Sequence, residues 1–254
     1  MQDRQKTIME CLKRTHRVKV QEMVLLFQVS EMTIRRDFEN LEQQGLLRRI
    51  HGGAELVSVR SFEPAVSTRL LQQQKEKAAI VKKAMEYIAY DETILIDAGS
   101  TTFMLAQQLF PGMDLKVVTN SLDIAGETLR RKVNTIMLGG VLLPSTSSGV
   151  GLLTQESLRQ LSIEKAFMGT SGLTLEHGFS NENLFEVEVK RQMINVSQEV
   201  TILADSSKLG RKSLGSFASL GDVNRVITDW KAPAAIVQSL RDNGIEVIVA
   251  EELK

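Results

Sequence analysis

Five clusters of small polar residues recur in the last two thirds of this 254-residue chain, and each carries groups that bind anions or polyols. Asp97-Ala98-Gly99-Ser100-Thr101-Thr102 follows an apolar run and opens a helical pattern. Gly99 permits an unusual backbone angle. Ser100, Thr101 and Thr102 offer hydroxyls where a helix N-terminus offers free N–H groups, which suits phosphate. The same residues also read as a plain strand-to-helix turn with Ser100 as its N-cap. Thr119-Asn120-Ser121, Gly139-Gly140, Gly169-Thr170-Ser171-Gly172 and Asp205-Ser206-Ser207-Lys208 repeat the theme. Any one of them is ordinary turn chemistry. Five at one edge of one sheet imply a pocket of hydroxyls, a carboxylate and one or two cations, suited to a polyhydroxylated anion.

A second constellation lies near the N-terminus. In Glu31–Gln44, Ile34, Phe38 and Leu41 fall at i, i+4 and i+7 and form one apolar face. Glu31, Thr33, Arg35, Arg36, Glu39 and Gln43 are left off that face. Arg35 and Arg36 sit in the first two turns, the part of a helix-turn-helix that meets base edges in a major groove. Arg48, Arg49 and His51 suit phosphate or minor-groove contact, and Gly52-Gly53 lets a wing turn tightly. The plainer alternative is a solvated helical hairpin in which Arg35 and Arg36 pair with Asp37 and Glu39.

These residues need scaffolds of two kinds. Residues 4–50 hold short helical patterns, with Ile8 and Leu12 on one face and Val20, Met23, Val24 and Phe27 on another. Ser30 suits an N-cap and Gly45 a C′ stop. A strand and a Gly-turned return follow, which completes a winged helix-turn-helix. From residue 75 onward, apolar runs alternate with helical stretches. The runs are 93–96, 116–119, 135–138, 165–169, 200–204, 225–228 and 246–249. The helices are expected at 75–89, 101–109, 122–131, 152–161, 182–197 and 232–243. That alternation implies a mostly parallel sheet covered on both faces, with ligands beyond the carboxyl ends of its strands. Residues 57–74, with Pro64 and Gln72-Gln73-Gln74, read as a linker.

Composition excludes several classes. Hydrophobic residues are 43% and charged residues 24%, as in an ordinary soluble protein. Basic and acidic side chains both number 31, so no uniformly basic coat exists, yet residues 1–60 carry 11 basic against 8 acidic. Cys11 is the single cysteine, which excludes an intrachain disulfide and reads as a small core residue. There is no signal-like apolar region and no membrane-length run, so a cytoplasmic protein with no membrane contact is expected. No P-loop occurs, and Gly149-Val150-Gly151 fails as a dinucleotide fingerprint. His16, His51 and His177 lack metal-ligand spacing. No metal and no cofactor are expected.

The stretch Val29-Ser30-Glu31-Met32-Thr33-Ile34-Arg35-Arg36-Asp37, followed by Leu41, Gly45, Leu47, Arg49 and His51-Gly52-Gly53-Ala54, resembles the signature of the DeoR family of bacterial transcriptional regulators. Asp97–Thr102, Thr119–Ser121, Glu176-His177-Gly178, Glu186–Arg191 and Asp205–Lys208 extend the resemblance over nearly the whole chain. The resemblance implies an α/β protein: an N-terminal winged helix-turn-helix (1–56) and a linker (57–74). They join a Rossmann-like parallel-sheet effector and oligomerisation domain (75–254) similar to ribose-5-phosphate isomerase. It implies a repressor of a sugar-catabolic operon that binds double-stranded operator DNA as a homodimer or homotetramer and answers to a phosphorylated sugar. Glu31, Met32, Thr33, Arg35, Arg36, Arg48, Arg49 and His51 would meet DNA. Ser100, Thr101 and Thr102 would hold phosphate. Asp97, Gly99, Asn120, Gly139, Gly140, Gly169, Thr170, Ser171, Lys190, Asp205 and Lys208 would complete the effector pocket. Glu186 and Lys190, an i, i+4 pair, read equally as a surface ion pair or as ligand contacts. The rival is a sugar-phosphate isomerase or deaminase with a DNA-binding head. The related isomerases carry an acid-rich loop where this chain has Gly169–Gly172 without a carboxylate, so no catalytic residue is assigned.

Overall fold

The computed structural model describes residues 3–43, 46–56 and 65–253. The chain divides into two compact units, Met1–Thr68 and Arg69–Lys254.

The first unit contains α1 (Asp3–Thr15), β1 (Arg17–Lys19), α2 (Val20–Phe27), α3 (Glu31–Gln43), β2 (Leu47–Ile50) and β3 (Gly53–Leu56). The expected apolar faces point inward: Ile8, Leu12, Ile34, Phe38, Leu41 and Leu47 are all buried in one core. Ser30 Oγ accepts from Thr33 N at 3.3 Å and so caps α3. Gly45 lies outside the described residues. The sequence reading missed β1, whose three residues are too few for a visible alternation. Its Val18 points into the core, and its backbone pairs with β3 so that the antiparallel order is β1-β3-β2. Gly53 permits that pairing, because a Cβ there would stand 2.2 Å from Val18 O.

Between the two units' main elements lies α4 (Val66–Leu70), a helical turn inside the stretch read as linker. The second unit then begins with α5 (Gln74–Met85). Its sheet has seven strands: β4 (Thr93–Ile96), β5 (Lys116–Thr119), β6 (Asn134–Met137), β9 (Ile163–Gly169), β12 (Ser197–Leu203), β14 (Arg225–Asp229) and β15 (Glu246–Ala250). All pairings are parallel, in the order β15-β14-β12-β9-β4-β5-β6. Helices α6 (Ser100–Ala106), α7 (Leu122–Arg130), α8 (Leu152–Arg159), α9 (Leu184–Asn195) and α10 (Ala234–Asp242) complete it. Side chains alternate across the strands. Ile94, Ile96, Val117 and Phe167 meet α5 and α6 through Ile80, Ala84 and Leu105. Leu95, Val118, Met168 and Ile202 meet α8, α9 and α10 through Leu158, Met193 and Leu240.

Two small antiparallel sheets were not anticipated. One is the hairpin β7 (Val141–Leu143) with β8 (Ser148–Val150), and the other is β10 (Gly172–Thr174), β11 (Gly178–Asn181) and β13 (Gly215–Ala218). They are built from Gly, Ser and Asn as much as from apolar residues, so they carry no two-residue hydrophobic period. Several helices are also shorter than expected: α5 stops at Met85, α6 at Ala106 and α9 at Asn195.

Gly53→Ala is expected to separate β1 from β3 and to cost about 1–3 kcal/mol, the usual cost of overpacking. Hydrogen exchange should show faster amide exchange across Arg17–Lys19, and unchanged exchange there would contradict the steric argument.

Candidate effector pocket and nucleic-acid interface

With its apolar face buried, α3 exposes Glu31, Met32, Arg35 and Arg36, while Thr33 is half-buried with its hydroxyl 2.9 Å from Ser30 Oγ. Arg35 pairs with Glu31 at 3.2 Å. The expected partners Asp37 and Glu39 are not used. Asp37 is buried, and Arg4 from α1 donates to it at 2.5 Å, so it ties α1 to α3. Arg36 is exposed and has no carboxylate partner among the described residues.

On the wing, Glu55 of β3 lies between two cross-strand arginines. Arg48 Nε donates to it at 2.8 Å from β2, and Arg17 Nε at 3.1 Å from β1. Arg49 binds Glu42 of α3 through its backbone N at 2.8 Å and its Nε at 2.7 Å. These bonds hold the Glu42 and Glu55 carboxyls below their usual range. His51 is exposed at the wing turn. The head thus restrains three expected DNA contacts, Arg35, Arg48 and Arg49, with its own carboxylates.

In the second unit, the ends of β4 and β9 meet α9. Asp97 Oδ2 accepts from Gly169 N at 3.1 Å and from the ammonium of Lys190, which also donates to Gly169 O at 2.8 Å. Asp97 is 2% exposed and Lys190 3%. The surface pairing of Glu186 with Lys190 is therefore corrected: both are buried. Glu186 accepts from Asn181 Nδ2 at 3.1 Å and from Ser148 Oγ at 3.3 Å, which links α9 to β11 and β8. The Lys190 ammonium also lies 5.0 Å from the Phe217 ring centroid.

Around this centre the other expected residues divide. Ser100, Thr101 and Thr102 form the buried first turn of α6. The N-cap is Gly99 rather than Ser100, and its φ of 176° is ordinary extended backbone, so no special angle is needed there. Asn120 follows β5; its Nδ2 donates to Gly149 O at 3.0 Å, while its buried Oδ1 has no partner. Gly169 closes β9, and Thr170 spends its hydroxyl on Gly172 O at 2.8 Å. Ser171 Oγ is buried and has no partner. Asp205 accepts from Ser207 N at 3.1 Å and caps the turn that holds half-buried Lys208. Gly139 lies beside Gly149, the partner of Asn120: a Cβ on Gly149 would stand 3.2 Å from Gly139 O and 3.6 Å from Asn120 O. Gly139 O accepts from Thr154 of α8 at 2.6 Å, and Gly140, at φ +141°, has no room for a Cβ against Thr154 and Val150. An open cleft of about 370 Å³ between α9 and β13, lined by Arg191, Phe217 and Asp222 among others, contains none of the expected residues.

Lys77 was missed. It lies on the buried face of α5, 3% exposed, and its ammonium donates to Gln72 O at 2.8 Å and to Arg69 O. Burial pushes it down to about 8; Asp205 opposes that shift and Lys208 reinforces it, so the three groups interact. A lysine inside Lys77-Ala78-Ala79-Ile80-Val81 is the only signal the sequence offered.

The sign of the resulting pH dependence follows from proton counting. The unfolded chain, with Lys77 near its ordinary 10.5, binds more protons than the folded chain between about 8 and 10.5, so this residue's contribution to stability rises with pH there. The rise is at most about 3 kcal/mol across the window. Lys77→Met is expected to flatten it. Denaturant titrations of both proteins from pH 7.5 to 10 test this, and parallel curves would refute it.

Comparison with known proteins agrees across both units. Residues 4–60 match the DeoR-like helix-turn-helix domain, and residues 72–230 match the DeoR C terminal sensor domain. The chain is 35% identical over 246 residues to the HTH-type transcriptional regulator YulB of Bacillus subtilis (strain 168), covering 96% of this chain and 95% of that protein. It is 33% identical to the glycerol-3-phosphate regulon repressor of Escherichia coli (strain K12), covering 94% and 95%. Among solved structures, ribose 5-phosphate isomerase A of Methanocaldococcus jannaschii aligns over 54% of each chain at 14% identity and a TM-score of 0.40. Helix-turn-helix head, sensor unit and full-length relatives give one answer: the chain belongs to the DeoR family of transcriptional regulators.

Proposed function

We propose that this chain represses a carbohydrate-catabolic operon, reading operator DNA with α3 and the wing and answering to a phosphorylated sugar at the carboxyl edge of its parallel sheet. The observation that carries the reading is the division of α3. Ile34, Phe38 and Leu41 are spent on the core, and Arg36 is left exposed with no carboxylate partner among the described residues. A free guanidinium on an exposed helix face can bind guanine O6 and N7 bidentately. Arg35, Thr33 and Met32 lie on the same turns as further base contacts, with Met32 able to meet a thymine methyl, and Glu31 orients Arg35. Arg48, Arg49 and His51 serve the phosphates.

In the sensor unit, Ser100, Thr101, Thr102, Lys77 and Lys208 form the anion-binding side. Asn120, Ser171 and Asp205 form the hydroxyl-binding side. Asp97 and Lys190 hold the frame between them. The glycerol-3-phosphate regulon repressor among the relatives supports an anionic, phosphorylated effector. A binding rather than a catalytic role fits Asp97, whose carboxylate is already engaged by Lys190 and Gly169 N. The protein acts in the cytoplasm, where operator DNA is found; no described helix is long and apolar enough to cross a membrane. Two copies would set two α3 helices into half-sites about one helical turn apart, or multiples of it. Residues 57–74 join the head (1–56) to the sensor (75–254) and transmit occupancy. Transmission requires the effector to bind the DNA-competent and DNA-incompetent states with different affinities.

Arg36→Ala is expected to cost about 1–3 kcal/mol of operator affinity and to relax specificity at the base it reads. Gel-shift titration against the promoter fragment checks this, and unchanged affinity would remove α3 from the groove. Glu55→Gln, which releases Arg48 and Arg17, is expected to tighten binding to non-specific duplex DNA and to steepen its log–log salt slope by about 1–2. Fluorescence anisotropy across a salt series measures that slope; an unaltered slope would place the wing off the backbone. Turnover of any sugar phosphate by the purified protein would overturn the sensor reading in favour of an enzyme.

A further inference from the structure

Among the described residues with a buried polar atom that lacks a partner are Asn120 and Ser171, which follow β5 and β9, and the Asn120 atom is one that a phosphate cannot satisfy. Asn120 is 2% exposed. Its amide orientation is fixed, because Nδ2 donates to Gly149 O at 3.0 Å while Gly149 N donates back to Asn120 O at 2.7 Å. That leaves Oδ1 as an acceptor with no donor. Ser171 Oγ, on a residue 3% exposed, is also without a partner. Such atoms are costly when nothing satisfies them, and native structures keep few of them. A phosphate dianion presents acceptor oxygens and cannot satisfy Asn120 Oδ1. A hydroxyl hydrogen can.

We infer that the hydroxyl-binding side is built to one geometry: Glu186 positions Asn120 Oδ1 and Ser171 Oγ so that they meet effector hydroxyls of one separation and turn the phosphate away from β5 toward Ser100, Lys77 and Lys208. This rests on the phosphosugar reading above. Glu186 sets the spacing of the two readers. One of its oxygens accepts from Ser148, the neighbour of Gly149, at 3.3 Å. The other accepts from Asn181, whose Oδ1 in turn accepts from Ser171 N at 3.3 Å. Glu186 is therefore a positioning residue: it joins the wall that orients Asn120 to the wall that orients Ser171, and it selects among sugars by the separation of their hydroxyls.

The test is isothermal titration of the full chain with inorganic phosphate, glycerol 3-phosphate, ribose 5-phosphate, fructose 1-phosphate and fructose 6-phosphate. The readout is the ratio of the inorganic phosphate Kd to the Kd of the tightest sugar phosphate. Asn120→Ala is expected to lower that ratio about tenfold, one hydrogen bond's worth. Ser171→Ala, which removes an atom without a partner and so spares the fold, is expected to lower it about threefold to tenfold. It carries the test alone if Asn120→Ala fails to fold. Glu186→Gln is expected to lower the same ratio, a change that general loosening of the pocket, weakening all ligands together, does not produce. An unchanged ratio in Ser171→Ala and Asn120→Ala, or a parallel loss of phosphate and sugar phosphate, overturns the inference while the phosphosugar reading stands. Wild-type protein that binds inorganic phosphate as tightly as every sugar phosphate overturns the inference as well. Wild-type protein that binds none of the five defeats the phosphosugar reading itself.

Discussion

A buried ammonium is costly unless an anion and further acceptors receive it. Lys190 is received by the Asp97 carboxylate and the Gly169 carbonyl, with the Phe217 ring nearby. That pairing fastens α9 to the ends of β9 and β4, the central strand of the sheet and its neighbour. Removing either partner would leave a charge stranded in the interior. The loops that carry Ser100, Asn120 and Ser171 are placed by strands and helices that this contact holds in register. The frame of the proposed pocket therefore rests on an interaction in which the charges of Asp97 and Lys190 engage each other. In the proposed pocket the groups that would meet a guest are mostly neutral, and Lys77 and Lys208 would supply the positive end.

The head follows a different electrostatic rule. Apart from half-buried Arg4, its described arginines are exposed, and four of them are held by carboxylates of the same unit: Arg35 by Glu31, Arg49 by Glu42, and Arg17 and Arg48 by Glu55. Exposed pairs of this kind contribute little to stability. Their effect is to orient long side chains and to reduce the net field that any polyanion would feel. Arg36 escapes that restraint and keeps its full charge on the exposed face of α3.

Much of this architecture was legible from residue patterns, and the parts that were not share physical causes. The seven strands of the parallel sheet announce themselves through runs such as Thr93–Ile96, because a strand buried on both faces, as the inner ones are, is largely apolar. The faces of α1 and α3 are equally plain. The six strands β1, β7, β8, β10, β11 and β13 are invisible because three or four residues are too few to show a period, and β8, β10, β11 and β13 are also rich in Gly, Ser and Asn. Glu186 and Lys190 were read as a possible solvent-facing pair because the i, i+4 rule describes a wet helix surface; α9 turns that surface inward. Lys77 was overlooked because lysines in helices are ordinarily exposed. The clusters at Asp97, Asn120 and Ser171 were recognised, but which of their atoms lacked partners depended on strands that no pattern revealed.

The dipeptide Gly139-Gly140 shows how unequal two identical neighbours can be. Around Gly139 an added Cβ would meet nothing within 4 Å, whereas at Gly140 it would strike Thr154 Oγ1 at 2.2 Å and Val150 O at 2.6 Å, on a backbone at φ +141°. The first position is free to drift to alanine or serine over evolutionary time. The second is closed to every other amino acid by stereochemistry alone, whatever sugar or operator the lineage comes to use.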